Sequence, residues 1–215
     1  MDKVFGLLKF NGVNEEYESI PDIQRDKSSL KKSFLNFVGA IVSNHLSSLL
    51  ITETNKHKLP LILESFFEYA YDLKDTVVSK LAVTQLINIV NVMGSNGDKI
   101  SDPEDQFGEN LPPIQGVDEY LMRKGVQLSF ELPFQRQEFD LRDAQYRVIG
   151  QELALLIKTY QEKKGDEFLA FLSSYLTNMG LPPDLMNDFG SNLLKSDQKD
   201  FKKYFVSFVL GLKGK

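Results

Sequence analysis

Chemistry in this chain of 215 residues would have to come mainly from its charged side chains, because cysteine is absent and histidine occurs only twice. Glu15/Glu16, Asp102/Glu104/Asp105 and Asp118/Glu119 are paired carboxylates of the kind that general acid–base catalysis uses. All lie in polar stretches where nothing would raise a carboxyl toward neutrality, so each is read as a solvated loop or face. Asn96-Gly-Asp98 through Asp105 approaches a calcium loop but lacks the alternating acids and the terminal glutamate of one. Gly94-Ser-Asn-Gly-Asp-Lys99 has a lysine but neither the spacing of a phosphate loop nor a strand before it. His45 and His57 are read as a helix-face and a loop histidine; Ser47 and Ser48 are near His45 in sequence, but positions two apart on a helix face apart. With no cysteine there is no disulfide, thiolate metal site or cysteine nucleophile. No enzyme, metal site or cofactor is expected.

The basic residues are the remaining candidates. Arg123/Lys124, Arg142, Arg147 and Lys202/Lys203 stand with Lys31/Lys32, Lys56 to Lys58, Arg136 and Lys163/Lys164 along successive segments. From Lys195 to Lys215 there are six lysines against two aspartates. One reading is a solvated surface. The sharper one is a groove in which each unit offers one or two cations to a phosphate backbone, with affinity from counterion release. The aromatic residues follow apolar stripes, which argues against stacking on single strands.

Helices must position these groups, since apolar residues recur at three- and four-residue steps nearly everywhere. Leu30, Phe34, Phe37, Val38, Ile41, Val42, Leu46 and Leu49 share one broad face of a first helix started by Lys27-Ser28-Ser29. Pro60 opens a second helix. Asp75 caps a third that stops at Gly94. Further helices run from about Val117 to Glu131 and from a cap at Asp140 to Lys163, with Leu141, Ala144, Val148, Ile149 and Leu153 inside. After Gly165 come three more, two of them starting at Pro182-Pro183 and Ser196-Asp197. No strand is expected, and Val126 to Leu132 is taken as helix. The Phe34 to Ile51 stretch is broken by polar groups and suits a buried helix rather than a membrane span.

Residues 95–114 interrupt the pattern with turn formers. Between Ser95 and Glu119 seven acids face one base, a local charge of −6 in a chain of net charge −5. The acidity is therefore one loop's property. Taken in pairs, the helices begin near Ser29, Asp75, Asp140 and Asp184, at intervals of about 46, 65 and 44. Removing the acidic insertion brings the middle interval near 45, the period of two-helix HEAT or armadillo units. The expected fold is an all-α HEAT-like superhelix of about four pairs; a globular helical bundle would share the stripes but not the period. The apolar stub Val4, Phe5, Leu7, Leu8, Phe10 reads as the remainder of a cut helix, and no signal peptide is expected from the first residues, which lack a basic lead, a long apolar run and a small-residue cleavage site.

Specific segments then suggest a family. Leu132-Pro-Phe, Phe139-Asp-Leu-Arg-Asp-Ala-Gln145, Glu152-Leu-Ala, Lys163-Lys-Gly-Asp-Glu-Phe-Leu, Gly180-Leu-Pro-Pro and Asp197-Gln-Lys-Asp-Phe-Lys-Lys-Tyr-Phe205 occur in order. With Tyr71-Asp-Leu-Lys-Asp75 upstream, they resemble the C-terminal end of the exportin-T family, tRNA export receptors of the importin-β (karyopherin) superfamily. Residues 126 to 210 carry the specific match, and residues 1–215 would be one C-terminal repeat region. The resemblance implies nuclear export of tRNA, a partnership with Ran-GTP made mainly through N-terminal repeats outside this chain, contact with nucleoporins, and shuttling between nucleus and cytoplasm without membrane insertion. It implies an RNA-facing basic surface, for which Arg123, Lys124, Arg142, Arg147, Lys202 and Lys203 are the candidates by charge and position. The alternative is a generic helical-repeat scaffold that binds protein partners in a concave groove.

Overall fold

The computed structural model describes residues 21–93, 100, 102–107 and 111–214. The apolar stub at 4–10, the paired Glu15/Glu16, the stop at Gly94 and the 94–99 loop candidates lie outside them. Among the described residues every regular element is helical. These are α1 (Pro21–Ser43), α2 (Leu59–Tyr71), α3 (Thr76–Met93), α4 (Val117–Gln135), α5 (Ala144–Lys164), α6 (Asp166–Asn178), α7 (Pro183–Lys195) and α8 (Gln198–Lys213), with short 3-10 turns at Ser47–Leu50 and Lys56–Lys58.

Local chemistry sets most starts. Pro60 occupies the first turn of α2, where its missing N–H costs nothing. The Asp75 carboxylate accepts the Val78 N–H at 3.0 Å, and Asp197 accepts the Asp200 N–H at 2.8 Å. Gly180, at φ 78°, ends α6 in a left-handed turn: its N–H donates to Thr177 O and that of Leu181 to Leu176 O.

Three boundaries differ from expectation. The first helix begins at Pro21, so Lys27-Ser28-Ser29 lies inside it, and it ends at Ser43 rather than near Leu49. The same left-handed end motif closes it with His45 at φ 57°, whose N–H donates to Val42 O while Leu46 N–H donates to Ile41 O. Leu46 and Leu49 consequently lie beyond the helix and are exposed; Phe37, within it, lies off the buried face and is exposed as well. The cap of α5 is Asp143, which accepts the Gln145 N–H at 2.7 Å, and not Asp140. Tertiary packing decides between the two acids: Phe139 and Leu141 are both fully buried, and Leu141 fills the space where a Cβ on Gly150 would stand 2.6 Å from its Cδ2. The turn that inserts them must be complete before the helix begins. Ala144 and Val148, expected inside, face outward.

The helices form two layers with repeat registry. Ser28 bonds Asp75, and Gly39 lies against Gln85, so α1 and α3 run parallel with an offset of 46 to 47 residues. Thr76 meets Gln145 and Thr84 meets Glu152, so α3 and α5 run parallel with an offset of 68 to 69. The added length is the α3–α4 connection, as the interval arithmetic anticipates. Hairpins join the layers: Ser79 of α3 donates to Ala70 O of α2, and Tyr160 of α5 donates to Leu121 O of α4. This is an αα-superhelix of HEAT type, each pair burying its apolar face on the next. The stack closes differently. α8 runs antiparallel to α5, with Gln198 at Glu162 and Lys213 at the Phe139 carbonyl.

Aromatic side chains fill the space between layers. Phe34 stacks on Phe66 at 5.8 Å, and Phe67 meets Tyr120 edge-on at 5.9 Å. Phe130 of α4 reaches Tyr175 of α6, Phe189 of α7 and Phe205 of α8, at 5.9, 5.7 and 6.2 Å between ring centroids. Each such ring contributes roughly 1.5–3 kcal/mol by leaving water. One described helix, Thr76–Met93, is long and apolar enough to cross a bilayer; here it is the central core helix, flanked by α1, α2 and α5.

Candidate nucleic-acid interface

Charge is sorted by layer. The helices α1, α3, α5 and α8 carry 13 lysines and arginines against 5 acids, a sum of +8. The helices on the other side, α2, α4, α6 and α7, carry 3 against 9, a sum of −6. In a chain of net charge −5 this sorts cations into one layer of helices and acids into the other, buried members such as Lys158, Lys164 and Asp118 included.

The six candidate cations divide between these layers. Arg123 and Lys124 lie on α4, on the acidic side, with Glu64 and Arg123 both acting on the Tyr120 hydroxyl between them. Arg142 precedes α5 and stands 3.7 Å from Asp140, while Arg147 Nε donates to the Leu141 carbonyl at 3.0 Å. Lys202 of α8 lies 3.6 Å from Glu152 of α5, which also accepts from Thr84 of α3. A polar line thus crosses three neighbouring helices of the basic layer. Lys203 pairs with Asp200 at 2.8 Å; the hydrogen bond and the adjacent charge raise the lysine's pKa and lower that of Asp200. The structure therefore brings Arg142 and Arg147 together at one turn, seats Lys202 and Lys203 on the same layer, and leaves Arg123 and Lys124 on the opposite one.

Two cations in the basic layer are structural. Lys158 is buried and donates to the Leu193 carbonyl at 2.7 Å and to Gln161 at 2.9 Å, satisfying the end of α7. Lys164 pairs with Asp118, the two side chains only 7% and 11% exposed. The expectation that Asp118 lies in a solvated stretch is therefore overturned, and so is the same expectation for Asp102 and Asp105, which are buried. Their cations and donors come from segments 46 to 57 residues away, a pairing with no local sequence signal. Lys80 of α3 and Lys199 of α8 are further exposed cations of the basic layer; neither has a basic neighbour in sequence to draw attention to it. Among the described residues no group of three His, Asp or Glu side chains is placed to hold a metal.

Comparison with known proteins gives one consistent result. The chain is 69% identical over 215 residues to Exportin-T of Debaryomyces hansenii, covering all of this chain and 22% of that protein. It is 60% identical over 212 residues to Exportin-T of Scheffersomyces stipitis, covering 99% and 21%. For Exportin-T of Candida albicans the figures are 59% over 211 residues, covering 98% and 20%. The chain thus spans about a fifth of the length of the curated relatives it matches. No solved structure matches it. The family model for Exportin-T matches residues 5–213, and the chain belongs to the exportin-T family.

Proposed function

We propose that this chain is the C-terminal HEAT-repeat region of a Ran-GTP-dependent carrier of tRNA, and that the layer of α1, α3, α5 and α8 faces the RNA backbone. The observation that carries the reading is the sorting of charge, +8 on one layer against −6 on the other. A duplex-like RNA offers regularly spaced phosphates, and a layer of helices side by side offers cations on successive elements, so shape and phosphate geometry are read more than sequence. Arg142, Arg147, Lys202 and Lys203 are the proposed contacts from the initial six, joined by Lys80 and Lys199. Arg123 and Lys124 fall outside this surface.

The region acts as a carrier and performs no catalytic step. Ran-GTP engages mainly repeats beyond this chain, and nucleoporins contact the carrier as it shuttles between nucleus and cytoplasm. A superhelix changes curvature by small shifts at each repeat interface, so Ran and tRNA that favour the same closed shape raise each other's affinity. The experiment is a salt titration of fluorescent tRNA binding, with double-stranded DNA as competitor. Saturable binding that weakens with salt and prefers tRNA supports the reading. Absence of binding at low salt removes cargo contact from this region. The scaffold reading draws on the exposed apolar side chains Phe37, Leu46, Leu49 and Phe107 and would be favoured by a tight protein partner with indifference to RNA.

A further inference from the structure

The connection between α3 and α4 is pinned to the connection between α1 and α2 by three acids. Asp102 accepts from His45 Nδ1, with both carboxylate oxygens at 2.9 Å, and Glu104 lies 3.2 Å from His45 Nε2. Asp105 accepts the Ser48 backbone N–H at 2.7 Å and the Ser48 hydroxyl at 2.8 Å. The segment is shaped for this before it docks. The Asp102 side chain accepts the Glu104 N–H, and the Asp105 side chain accepts the Phe107 N–H, making two successive turns that present the carboxylates. The opposing surface is fixed too, because His45 itself occupies the left-handed position that closes α1.

Both ring nitrogens of His45 face carboxylates. A neutral imidazole has one N–H and can satisfy only one of them, whereas the imidazolium donates from both. We propose that residues 102–107 form a proton-held latch, docked on the α1–α2 connection while His45 is charged and loosened when it loses its proton.

The charges acting on the ring are Asp102, Glu104 and Asp105, all from the docked segment. The hydrogen bond to Asp102 is the main cause of a pKa held above 6.5; partial desolvation opposes it and the three carboxylates add to it. The sign follows. Docking is fully assisted below 6.5, and the assistance disappears as pH rises through the higher value of the docked state. Ser48 and Asp105 do not depend on that proton and hold part of the contact at every pH. Linkage sets the size: the docking constants for charged and neutral His45 differ about tenfold for each pKa unit by which docking raises the ring.

The test uses the 215-residue chain and two readouts. Ring-proton NMR follows the titration of His45, and amide hydrogen exchange, corrected for intrinsic rates, follows residues 102–107 from about pH 5.5 to about pH 8.5, a range that spans the ordinary histidine value. The latch predicts that His45 titrates above 6.5, that Asp102→Asn lowers this value, and that protection of 102–107 falls over the same pH range by the fold-change the shift demands. His45→Asn and His45→Gly both accept the left-handed backbone and carry no titrating ring. In each the pH step disappears, while Ser48→Ala lowers protection at all pH values and retains the step. Protection independent of pH in the wild-type chain, a step that persists in both His45 variants, or a step abolished in Ser48→Ala would overturn the latch.

Discussion

Tyr160 of α5 lies across Gly125 of α4 so closely that a Cβ at position 125 would stand 2.6 Å from both the ring Cε2 and the hydroxyl oxygen. The hydroxyl donates to the Leu121 carbonyl one turn earlier, so ring and helix are fixed together at the α4–α5 hairpin. Gly125→Ala therefore overpacks a fully buried tyrosine. The strain, about 1–3 kcal/mol, exceeds the roughly 0.5–1 kcal/mol that alanine gains over glycine in a helix. Gly190 of α7 has nothing within 4 Å of its would-be Cβ, and Gly190→Ala gains the helical preference alone. Urea denaturation should move the two midpoints in opposite directions; a shared direction would mean that the α4–α5 packing does not constrain the core.

The Asp118–Lys164 pair is nearly dry, so removing one member leaves a buried charge without its counter-ion. Lys164→Met should cost about 3–5 kcal/mol, and the double variant Asp118→Leu with Lys164→Met should recover most of it. Equal losses in the single and double variants would show that packing, not the ion pair, sets the cost.

Asp75 links three elements: it caps α3, accepts from Ser28 of α1 and lies near Lys31 and Lys32. Burial pushes its pKa up, but the hydrogen bonds and the two lysines together hold it below 3.8. Folding thus favours the ionised form, so its contribution is complete above 3.8 and declines as pH falls through the lower folded value. Asp75→Ala should cost about 1–2 kcal/mol at neutral pH, and the gap from the wild-type chain should close in acid. A gap that widens below about pH 4 would contradict the assignment.

What the sequence reveals here depends on the range of the interaction. Pro60, Asp75, Gly165 and Asp197 mark their boundaries because a cap or a left-handed turn is chemistry within four residues. The repeat interval is equally legible, since the offsets between α1, α3 and α5 follow from chain length. The end of α1 is not, because His45 takes a left-handed position where glycine is the usual mark. Nor is the burial of Asp102, Asp105 and Asp118. Each is an exposed acid by type and becomes internal only because His45, Ser48 and Lys164 arrive from distant segments. For the basic residues, sequence pairing groups Arg123 with Lys124, whereas the layers group Lys80 with Lys202.

The most direct test of the charge-sorted surface compares two sets of substitutions in the tRNA salt titration. One set changes Lys80, Lys199, Lys202 and Lys203 of the basic layer to Gln; the other changes Arg123 and Lys124 of α4. Removing a cation that neutralises one phosphate should reduce the magnitude of the salt slope by about 0.7–0.9. A tRNA-facing basic layer predicts that the first set weakens binding and flattens the slope while the second leaves both unchanged. An equal or larger effect from Arg123 and Lys124 would contradict it.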